Sequence, residues 1–465
     1  MTIPADFSAR KWLGTTLGIG IALVVYLLPI SDMPVAARHT LAITLFAAIF
    51  WLTEPIRVEF TGLIALVVLP LSQTVPFEVA FSPFGSKSLW LVLAGLLMGL
   101  GVTRTPLGSR MSLKALLLFG HSYWTMLLGL MASGFLFNFV VPSALVRILL
   151  LAPVAMELCK ALGYKPETPA ATGIFLAFGA ATYFPGTGIL TAQLPSIVVL
   201  GILEKFKLTI YWGEWALRMF LVMGLGGLAT IYLYLRMTVR NIETRDMSDI
   251  RRDLEALGPM GIEEKRVLIL LVVGIILWAT DSLHHIHPTF VALGVGVALF
   301  LPGIGGCKFE DLSSVHFPIL FFVGALFGIG EALQITGFTR WISAAILGSV
   351  HLETFGWFGT FFTITLITAL LNLPMNTLTQ ASVTTPIILS YAQERGINLV
   401  SSALSMVVSY NYPYLPYQSP PLVVLLSFGY VAHRELLRMM LFVGAVGILV
   451  LTPLNILYWR LLGFI

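Results

Sequence analysis

Long apolar segments follow one another along this chain and are separated by short polar stretches. Each runs for about 17 to 25 residues, the length that crosses the hydrocarbon core of a bilayer as an α-helix. Charged residues make up only 11% of the 465 residues and hydrophobic residues 57%, whereas soluble domains average about 25% charged residues. No water-soluble fold of this length could bury so much apolar surface. The sequence therefore predicts an all-α membrane protein.

The apolar segments predict about eleven transmembrane helices and two re-entrant hairpins. A hairpin is predicted near 121–163, where the run is too long for one span and is interrupted by Asn138 and Pro142, and a second near 355–393. Two further spans, 168–205 and 398–430, contain proline-rich breaks. The remaining spans are predicted at 13–30, 38–53, 59–75, 86–104, 212–235, 267–281, 288–303, 316–336 and 436–461.

The distribution of lysine and arginine predicts a cytoplasmic N-terminus. Arg10 and Lys11 precede the first span, and the long hydrophilic stretch 236–266 would lie on the same side. The first apolar run is longer than the core of a cleaved signal peptide, so we interpret it as a retained span. The short loops favour a bacterial inner membrane. The two cysteines, Cys159 and Cys307, indicate no disulfide framework.

The two halves of the sequence resemble each other at a nearly constant offset. Trp51, Pro153 and Pro195 recur as Trp278, Pro386 and Pro421, at offsets of 227, 233 and 226, and Gly95, Gly99 and Gly101 recur as Gly324, Gly328 and Gly330, at an offset of 229. An odd number of spans per repeat turns the second copy upside down in the membrane. The sequence thus predicts an extra first span (1–35), a first repeat (36–235), a cytoplasmic linker (236–266) and an inverted second repeat (267–465).

Inverted repeats with broken helices are the architecture of secondary transporters. Irregular backbone cannot face lipid, so it must be buried in protein or line a wet cavity. The N-termini of half-helices attract anions, and free carbonyls and half-helix C-termini suit cations. Two hairpin tips that face two helix breaks would therefore form one binding site near the middle of the membrane.

Four landmarks of the sequence point to one family. They are the Trp-Leu-Thr-Glu-Pro motif at 51–55 with its echo at 278–281, the glycine-patterned span leading into 101–108, the two hairpin tips, and the two breaks. Over nearly its whole length the chain resembles the divalent anion:sodium symporter family of carboxylate and sulfate carriers. That family has Ser-Asn-Thr at its hairpin tips and Gly-Thr-Pro-Pro-Asn at its breaks. The chain resembles a divergent member with eroded Ser-Asn-Thr signatures.

The second half keeps more of the family pattern than the first. At its hairpin tip, Asn376 and Thr377 match the Asn and Thr of the signature, and at its break Ser419 stands for the Thr before Pro420 and Pro421. In the first half, Ser143 aligns with the tip signature and Gln193 stands for the Thr of the break. The alternative role of these polar residues is to cap helix ends or to bond a freed carbonyl.

The resemblance implies which residues bind ligands, since hairpin tips and breaks hold substrate and sodium in the family. The substrate-binding residues that we expect on this basis, together with Arg147, are Asn138, Ser143, Gln193, Asn376, Thr377, Ser419 and Pro420. Sodium, where it is bound, is expected at Gly188, Asn372, Asn376 and Ser419. No other metal and no organic cofactor is predicted.

Arg147 is a charged residue inside the apolar part of the first hairpin. An intramembrane charge costs about 2.5–3.5 kcal/mol or more and usually has a functional role. We hypothesise that its guanidinium supplies the positive charge that sodium supplies in relatives, and that it pairs with an anionic substrate. The alternatives are an ion pair with an acid such as Glu157, or snorkelling to the surface.

Two other clusters have a less specific interpretation. The tyrosines of 410–417 could line the site and favour a larger substrate, although aromatic packing at an interface is the more common role. His284, His285 and His287 lie close together, but no matching Cys or carboxylate spacing favours a metal site.

The sequence favours a secondary transporter of small anions, such as a di- or tricarboxylate or sulfate, working by an elevator-type alternating-access mechanism. Sodium symport and sodium-independent anion exchange remain open as coupling modes. An enzyme is not expected, because no nucleophile–base pair or metal constellation is found. The alternatives are a transporter-derived receptor or scaffold and a carrier for a larger organic acid. The resemblance implies a homodimer in the lipid bilayer, and nothing indicates a nucleic-acid partner.

Overall fold

The architecture is that of a computed structural model, which describes residues 9–30, 32–119, 122–141, 143–239, 252, 254–315, 317–339, 341–342, 351–373 and 377–465. These residues form α-helices with short 3₁₀ and π segments, and no β-strand occurs among them. Four helices are long and apolar enough to cross a membrane: Lys87–Arg104, Tyr123–Val140, Trp212–Thr238 and His433–Leu461. The predicted all-α membrane fold is confirmed.

The first half begins with the helices Ala9–Leu27, Val35–Thr53, Val58–Leu71, Phe77–Phe81, Lys87–Arg104 and Leu107–Phe119. Two antiparallel helices, Tyr123–Val140 and Ala144–Ala161, follow and are called hairpin 1. The helices Pro169–Ala181 and Leu194–Lys205 are separated by residues 182–193, which we call break 1. The half ends with one long helix, Trp212–Thr238, which contains a π segment at Phe220–Leu225.

The second half contains the helices Ile262–Ala279, Asp281–His284, Pro288–Ala298 and Ile319–Ile335. Hairpin 2 consists of Gly356–Leu371 and Thr377–Glu394. Residues 412–419, called break 2, separate Leu399–Asn411 from Pro420–Ser427. A long helix, His433–Leu461, again contains a π segment, at Gly447–Leu451.

Helices from the two halves pack against each other in reciprocal pairs. Val58–Leu71 packs against Ile319–Ile335, and Pro288–Ala298 packs against Lys87–Arg104. The half-helix Leu194–Lys205 lies on the second arm of hairpin 2, and its counterpart Pro420–Ser427 lies on the second arm of hairpin 1. This exchange is what a pseudo-two-fold axis between two inverted repeats would produce.

The two recurring tryptophans make equivalent hydrogen bonds. Trp51 Nε1 donates to the carbonyl oxygen of Val58 at 3.0 Å, and Trp278 Nε1 donates to that of Pro288 at 3.2 Å. Val58 is the first residue of the helix that follows, and Pro288 is the first residue of the helix that follows the short Asp281–His284. The indole therefore fixes the connection to a following long helix in both halves.

The structure differs from the predicted spans in two places. Asn138 does not interrupt hairpin 1 but lies inside its first helix, which ends at Val140, and the second helix begins at Ala144; Pro142 is outside the described residues. The helix Leu107–Phe119 was not predicted, because it is short and its apolar residues are interrupted by the basic residues Arg110 and Lys114. One of them, Arg110, is buried and reaches Glu264 of the second half, with Nε 2.6 Å from Oε1 and Nη2 3.2 Å from Oε2.

Loss of one partner of this buried pair is expected to destabilise the protein strongly. Arg110→Ala should lower the free energy of unfolding by about 3–5 kcal/mol, because it leaves the carboxylate of Glu264 buried without its charge partner. Thermal melting of the detergent-solubilised protein measures this loss. Arg438→Gln, which removes the exposed pair with Glu435 at 2.9 Å, is the control and should cost about 1 kcal/mol or less. Equal melting temperatures for the two variants would contradict a stabilising role of the buried Arg110–Glu264 pair.

Candidate functional site

Hairpin 1 is joined to break 1 by the side chain of Asn138. Its Nδ2 donates to the carbonyl oxygen of Ala181 at 2.9 Å, at the C-terminal end of the half-helix Pro169–Ala181. The same amide nitrogen also donates to the carbonyl oxygens of Gly134 and Phe135 within its own helix. These three acceptors fix the orientation of the amide. Its Oδ1 is buried and has no hydrogen-bond partner among the described residues.

The side chain of Arg147 is fully buried where hairpin 1 meets break 1. Nε and Nη2 donate to the carbonyl oxygen of Thr182 at 3.0 and 2.7 Å, and Nη1 and Nη2 both donate to that of Ala192 at 3.0 Å. Nη1 also donates to the carbonyl oxygen of Val141. These five hydrogen bonds match the five N–H groups of a guanidinium. The arginine therefore holds three backbone carbonyls together.

The position of Arg147 argues against both alternative roles, snorkelling to the surface and an ion pair with Glu157. It does not snorkel, because its side chain has no exposed surface. Glu157 lies ten residues further along the same helix, so its Cα atom is about 15 Å away, and its side chain is outside what the structure describes. Among the carboxylates whose side chains are described, none pairs with Arg147.

Gln193 ends break 1 and bonds across it. Its Nε2 donates to the carbonyl oxygen of Tyr183, at the other end of the break. Gly186 lies between this amide and Asn138: a Cβ added there would be 2.7 Å from Asn138 Oδ1 and 2.9 Å from Gln193 Nε2. Glycine is therefore required at this position for the two amides to keep their places.

The second half repeats this arrangement with amides alone. Asn372 Nδ2 donates to the carbonyl oxygen of Ser409 at 3.1 Å, near the end of Leu399–Asn411, and thus corresponds to Asn138. Gln418 of break 2 donates to the carbonyl oxygen of Asn372 at 2.9 Å. On the second arm of hairpin 2, Gln380 Nε2 donates to the carbonyl oxygen of Thr368. The side-chain oxygens of Asn372 and Gln380 are buried and have no partner among the described residues.

Contacts between the two halves bring both breaks to one place. The hydroxyl of Tyr183, in break 1, faces the hydroxyls of Thr377 and Ser419, at the tip of hairpin 2 and the end of break 2. Asn411 Nδ2 donates to Ser196 Oγ at 2.9 Å, in the half-helix that follows break 1. The tips and the breaks therefore form one buried polar junction.

Half-helix N-termini begin at this junction. Leu194–Lys205 and Pro420–Ser427 start directly after the breaks, and their N-cap residues, Gln193 and Ser419, make no side-chain hydrogen bond to the first backbone N–H groups. Prolines in the first turn remove some of these donors, and the remaining N–H groups carry the partial positive charge of the helix end. An anion placed here would meet free donors on both sides.

The structure places the predicted site residues differently from one another. Six of them lie at the junction or bond the backbone carbonyls beside it: Asn138, Arg147, Gln193, Asn372, Thr377 and Ser419. Ser143 caps the second arm of hairpin 1, accepting from the backbone N–H of Val146 at 3.4 Å. Pro420 is exposed. Asn376 lies outside the described residues.

Gly188 packs against a neighbouring helix. A Cβ added there would be 2.8 Å from the Cα atom of Phe220 and 3.0 Å from that of Gly224, both in the π segment of the long helix. The close approach of two backbones therefore explains this glycine.

Three of the four tyrosines of 410–417 have partners inside the protein. Tyr410 bonds the hydroxyls of Thr384 and Thr385 at 2.6 and 3.1 Å. Tyr412 donates to the carbonyl oxygen of Met223 at 2.7 Å, in the π segment of the first half, and Tyr414 bonds hairpin 2. These bonds are those expected of tyrosines that pack inside the protein.

The histidine cluster is also engaged in local bonds. His287 Nδ1 accepts from the N–H of Thr289, and its Nε2 lies 2.7 Å from Glu204 Oε1. His284 bonds the carbonyl oxygen of Leu277 and the N–H of Ile286.

Sequence reasoning missed Tyr183 and Gln380. Gln380 follows Arg147 by 380 − 147 = 233 residues, the same offset that joins Pro153 to Pro386. The repeat therefore contained the signal for it. Nothing in the sequence indicated that Tyr183 would cross to the other half.

Comparisons with known proteins give a family and a fold. The family model described as "Sodium:sulfate symporter transmembrane region" matches residues 9–465. A protein of Cupriavidus necator described as "Membrane protein" is 25% identical over 493 aligned residues, which cover 100% of this chain and 95% of that protein. The "Sodium-dependent dicarboxylate transporter SdcS" of Staphylococcus aureus is 26% identical over 367 residues, covering 72% of this chain and 70% of that protein. The crystal structure of the Alcanivorax borkumensis YdaH transporter shares the fold, with a TM-score of 0.52 at 14% identity, covering 98% and 99% of the two chains.

A methyl group at position 186 should damage the junction. Gly186→Ala is expected to destabilise the protein by about 1–3 kcal/mol, since the new Cβ displaces the amides of Asn138 and Gln193. Thermal melting of the purified protein measures the loss. Gly294→Ala, in the helix Pro288–Ala298, is the matched control, because an added Cβ there meets nothing within 4 Å. An unchanged melting temperature for Gly186→Ala would show that the junction is loosely packed.

Proposed function

We propose a transport function from one premise: the chain belongs to the sodium:sulfate symporter family. Its family and its dicarboxylate-transporting relative are transporters rather than enzymes. The chain is accordingly an integral membrane transporter of small anions. Its substrate, its coupling ion and its mechanism are inferred from the junction of the hairpins and breaks.

We infer that the substrate is a small dicarboxylate, bound at the junction of the two breaks. The observation that carries this inference is the convergence of two half-helix N-termini on the hydroxyls of Tyr183, Thr377 and Ser419. Each carboxylate of a dicarboxylate could accept from one helix end and from neighbouring hydroxyls. A relative named as a dicarboxylate transporter supports the same class.

Sodium is the proposed coupling ion, bound in the second half. The buried side-chain oxygens of Asn372 and Gln380, both without partners among the described residues, are ligands of the hard, neutral kind that sodium accepts. Asn376 and Ser419 belong to the same proposed site by family resemblance. In the first half, the backbone carbonyls of Thr182 and Ala192 are occupied by Arg147 instead.

Alternating access is proposed to be of the elevator type. The hairpins and half-helices are cross-bonded into one unit, and they pack reciprocally across the two halves. We propose that this unit moves against the remaining helices in a homodimer, within a bacterial inner membrane and with the N-terminus in the cytoplasm. The reciprocal packing also supports the two inverted repeats, 36–235 and 267–465.

Sodium-independent anion exchange is the second candidate. It is favoured by one observation, the guanidinium of Arg147 at the carbonyls of break 1. A transporter whose cation sites were all replaced by protein charges would need a counter-substrate instead of sodium.

Uptake into proteoliposomes distinguishes the two candidates. Radiolabelled succinate, citrate and sulfate are offered to empty vesicles with an inward sodium or potassium gradient, and to vesicles preloaded with the same anion. We expect sodium-driven succinate uptake into empty vesicles. Uptake only into preloaded vesicles, with no effect of sodium, would favour exchange, and transport of none of the three anions would contradict the proposed substrate class.

Tyr183→Phe should weaken succinate transport with little change in folding. Removal of the hydroxyl that faces Thr377 and Ser419 takes one hydrogen-bond donor away from the proposed anion site and should raise the KM about tenfold, the effect of a lost hydrogen bond of about 1.5 kcal/mol. Initial rates at a fixed sodium gradient measure KM. Tyr232→Phe, on the long helix Trp212–Thr238, is the control and should transport normally. An unchanged KM for Tyr183→Phe would remove Tyr183 from the site.

A further inference from the structure

The guanidinium of Arg147 lies where two helices end. Val141 follows the helix Tyr123–Val140, Thr182 follows Pro169–Ala181, and the carbonyl oxygens of both accept from it. The last turn of a helix carries partial negative charge, so two helix dipoles point their negative ends at this group. The third acceptor, Ala192, precedes the next half-helix.

Backbone carbonyls of this kind form a cation site. In transporters with broken helices, free carbonyls of the unwound segment and the C-terminal ends of half-helices coordinate the coupling cation. Here the same types of ligand surround a cation that is covalently part of the protein. No carboxylate with a described side chain neutralises it, so its charge is left for the junction nearby.

The second half has a neutral residue at the equivalent position. Gln380, at the repeat offset of 233, is fully buried. Its Nε2 donates to the carbonyl oxygen of Thr368, and its Oε1 has no partner among the described residues. At this position the first half thus supplies a cation, the guanidinium of Arg147. The second half supplies a ligand for a cation, the amide oxygen of Gln380.

We propose that Arg147 is a resident cation that replaces one sodium ion, so that the first half carries a fixed charge and only the second half exchanges sodium with solvent. The inference deepens the proposed sodium-coupled transport and rests on it. The guanidinium travels with the hairpins in every cycle and is never released. It favours the anion through its field, while its N–H groups stay on the carbonyls.

Two reciprocal substitutions test this proposal. Arg147→Gln copies the residue of the second half and should create a sodium site, whereas Gln380→Arg copies the first half and should remove one. The readout is the melting temperature of the purified protein in sodium chloride against potassium chloride at equal ionic strength. This readout does not need transport, so failure of the proposed function and failure of this inference are distinguishable.

Sodium should raise the melting temperature of Arg147→Gln roughly twice as much as that of the wild type, since a second ion binds only the folded state. In vesicles, the Hill coefficient for sodium should rise from about one to about two. Gln380→Arg should lose the sodium response. Arg147→Lys keeps the charge and should respond to sodium as the wild type does.

An equal sodium response in Arg147→Gln and the wild type would overturn the proposal. So would a sodium response that persists in Gln380→Arg. If Arg147→Gln is unstable in potassium and sodium restores it, the proposal is supported. If it is equally unstable in both salts, Arg147 is only a structural link between hairpin and break, and the proposal fails.

Discussion

Irregular backbone inside a membrane must find all of its hydrogen-bond partners within the protein. Among the described residues, backbone carbonyls at both breaks and beside both hairpin turns bond polar side chains: Asn138, Arg147 and Gln193 in the first half, Asn372 and Gln418 in the second. The rest of the structure depends on this constraint. The reciprocal helix packing encloses the breaks, and the free half-helix N-termini at the junction exist only because the helices are broken there.

The same constraint makes the two halves unequal in charge. An arginine in the first half and a glutamine in the second occupy equivalent positions of the repeat, at the offset of 233, but only the arginine brings a net charge. A fixed charge cannot draw energy from an ion gradient, whereas each sodium ion that crosses the membrane contributes about 2.3 kcal/mol per 100 mV. The asymmetry would therefore reduce the driving force for accumulation and stabilise the anion site at any sodium concentration.

Much of this architecture could be predicted from the sequence. Apolar length predicted the all-α membrane fold, and hairpins and breaks predicted from prolines and polar interruptions lie close to 121–163, 168–205, 355–393 and 398–430. The amphipathic helix Leu107–Phe119 was missed because it is neither long nor uniformly apolar. The role of Tyr183 could not be predicted, because its partners are more than 190 residues away in sequence. The partners of Arg147 could not be predicted either, since they are backbone carbonyls and carry no sequence signature.

A cryo-electron microscopy map of the protein in lipid nanodiscs, with succinate and sodium present, tests the account most directly. The account predicts an anion beside Thr377 and Ser419, the guanidinium of Arg147 on the carbonyls of Thr182 and Ala192, and ion density in the second half alone. It would be contradicted by a map in which Arg147 has turned onto the anion and an ion occupies the carbonyls of break 1.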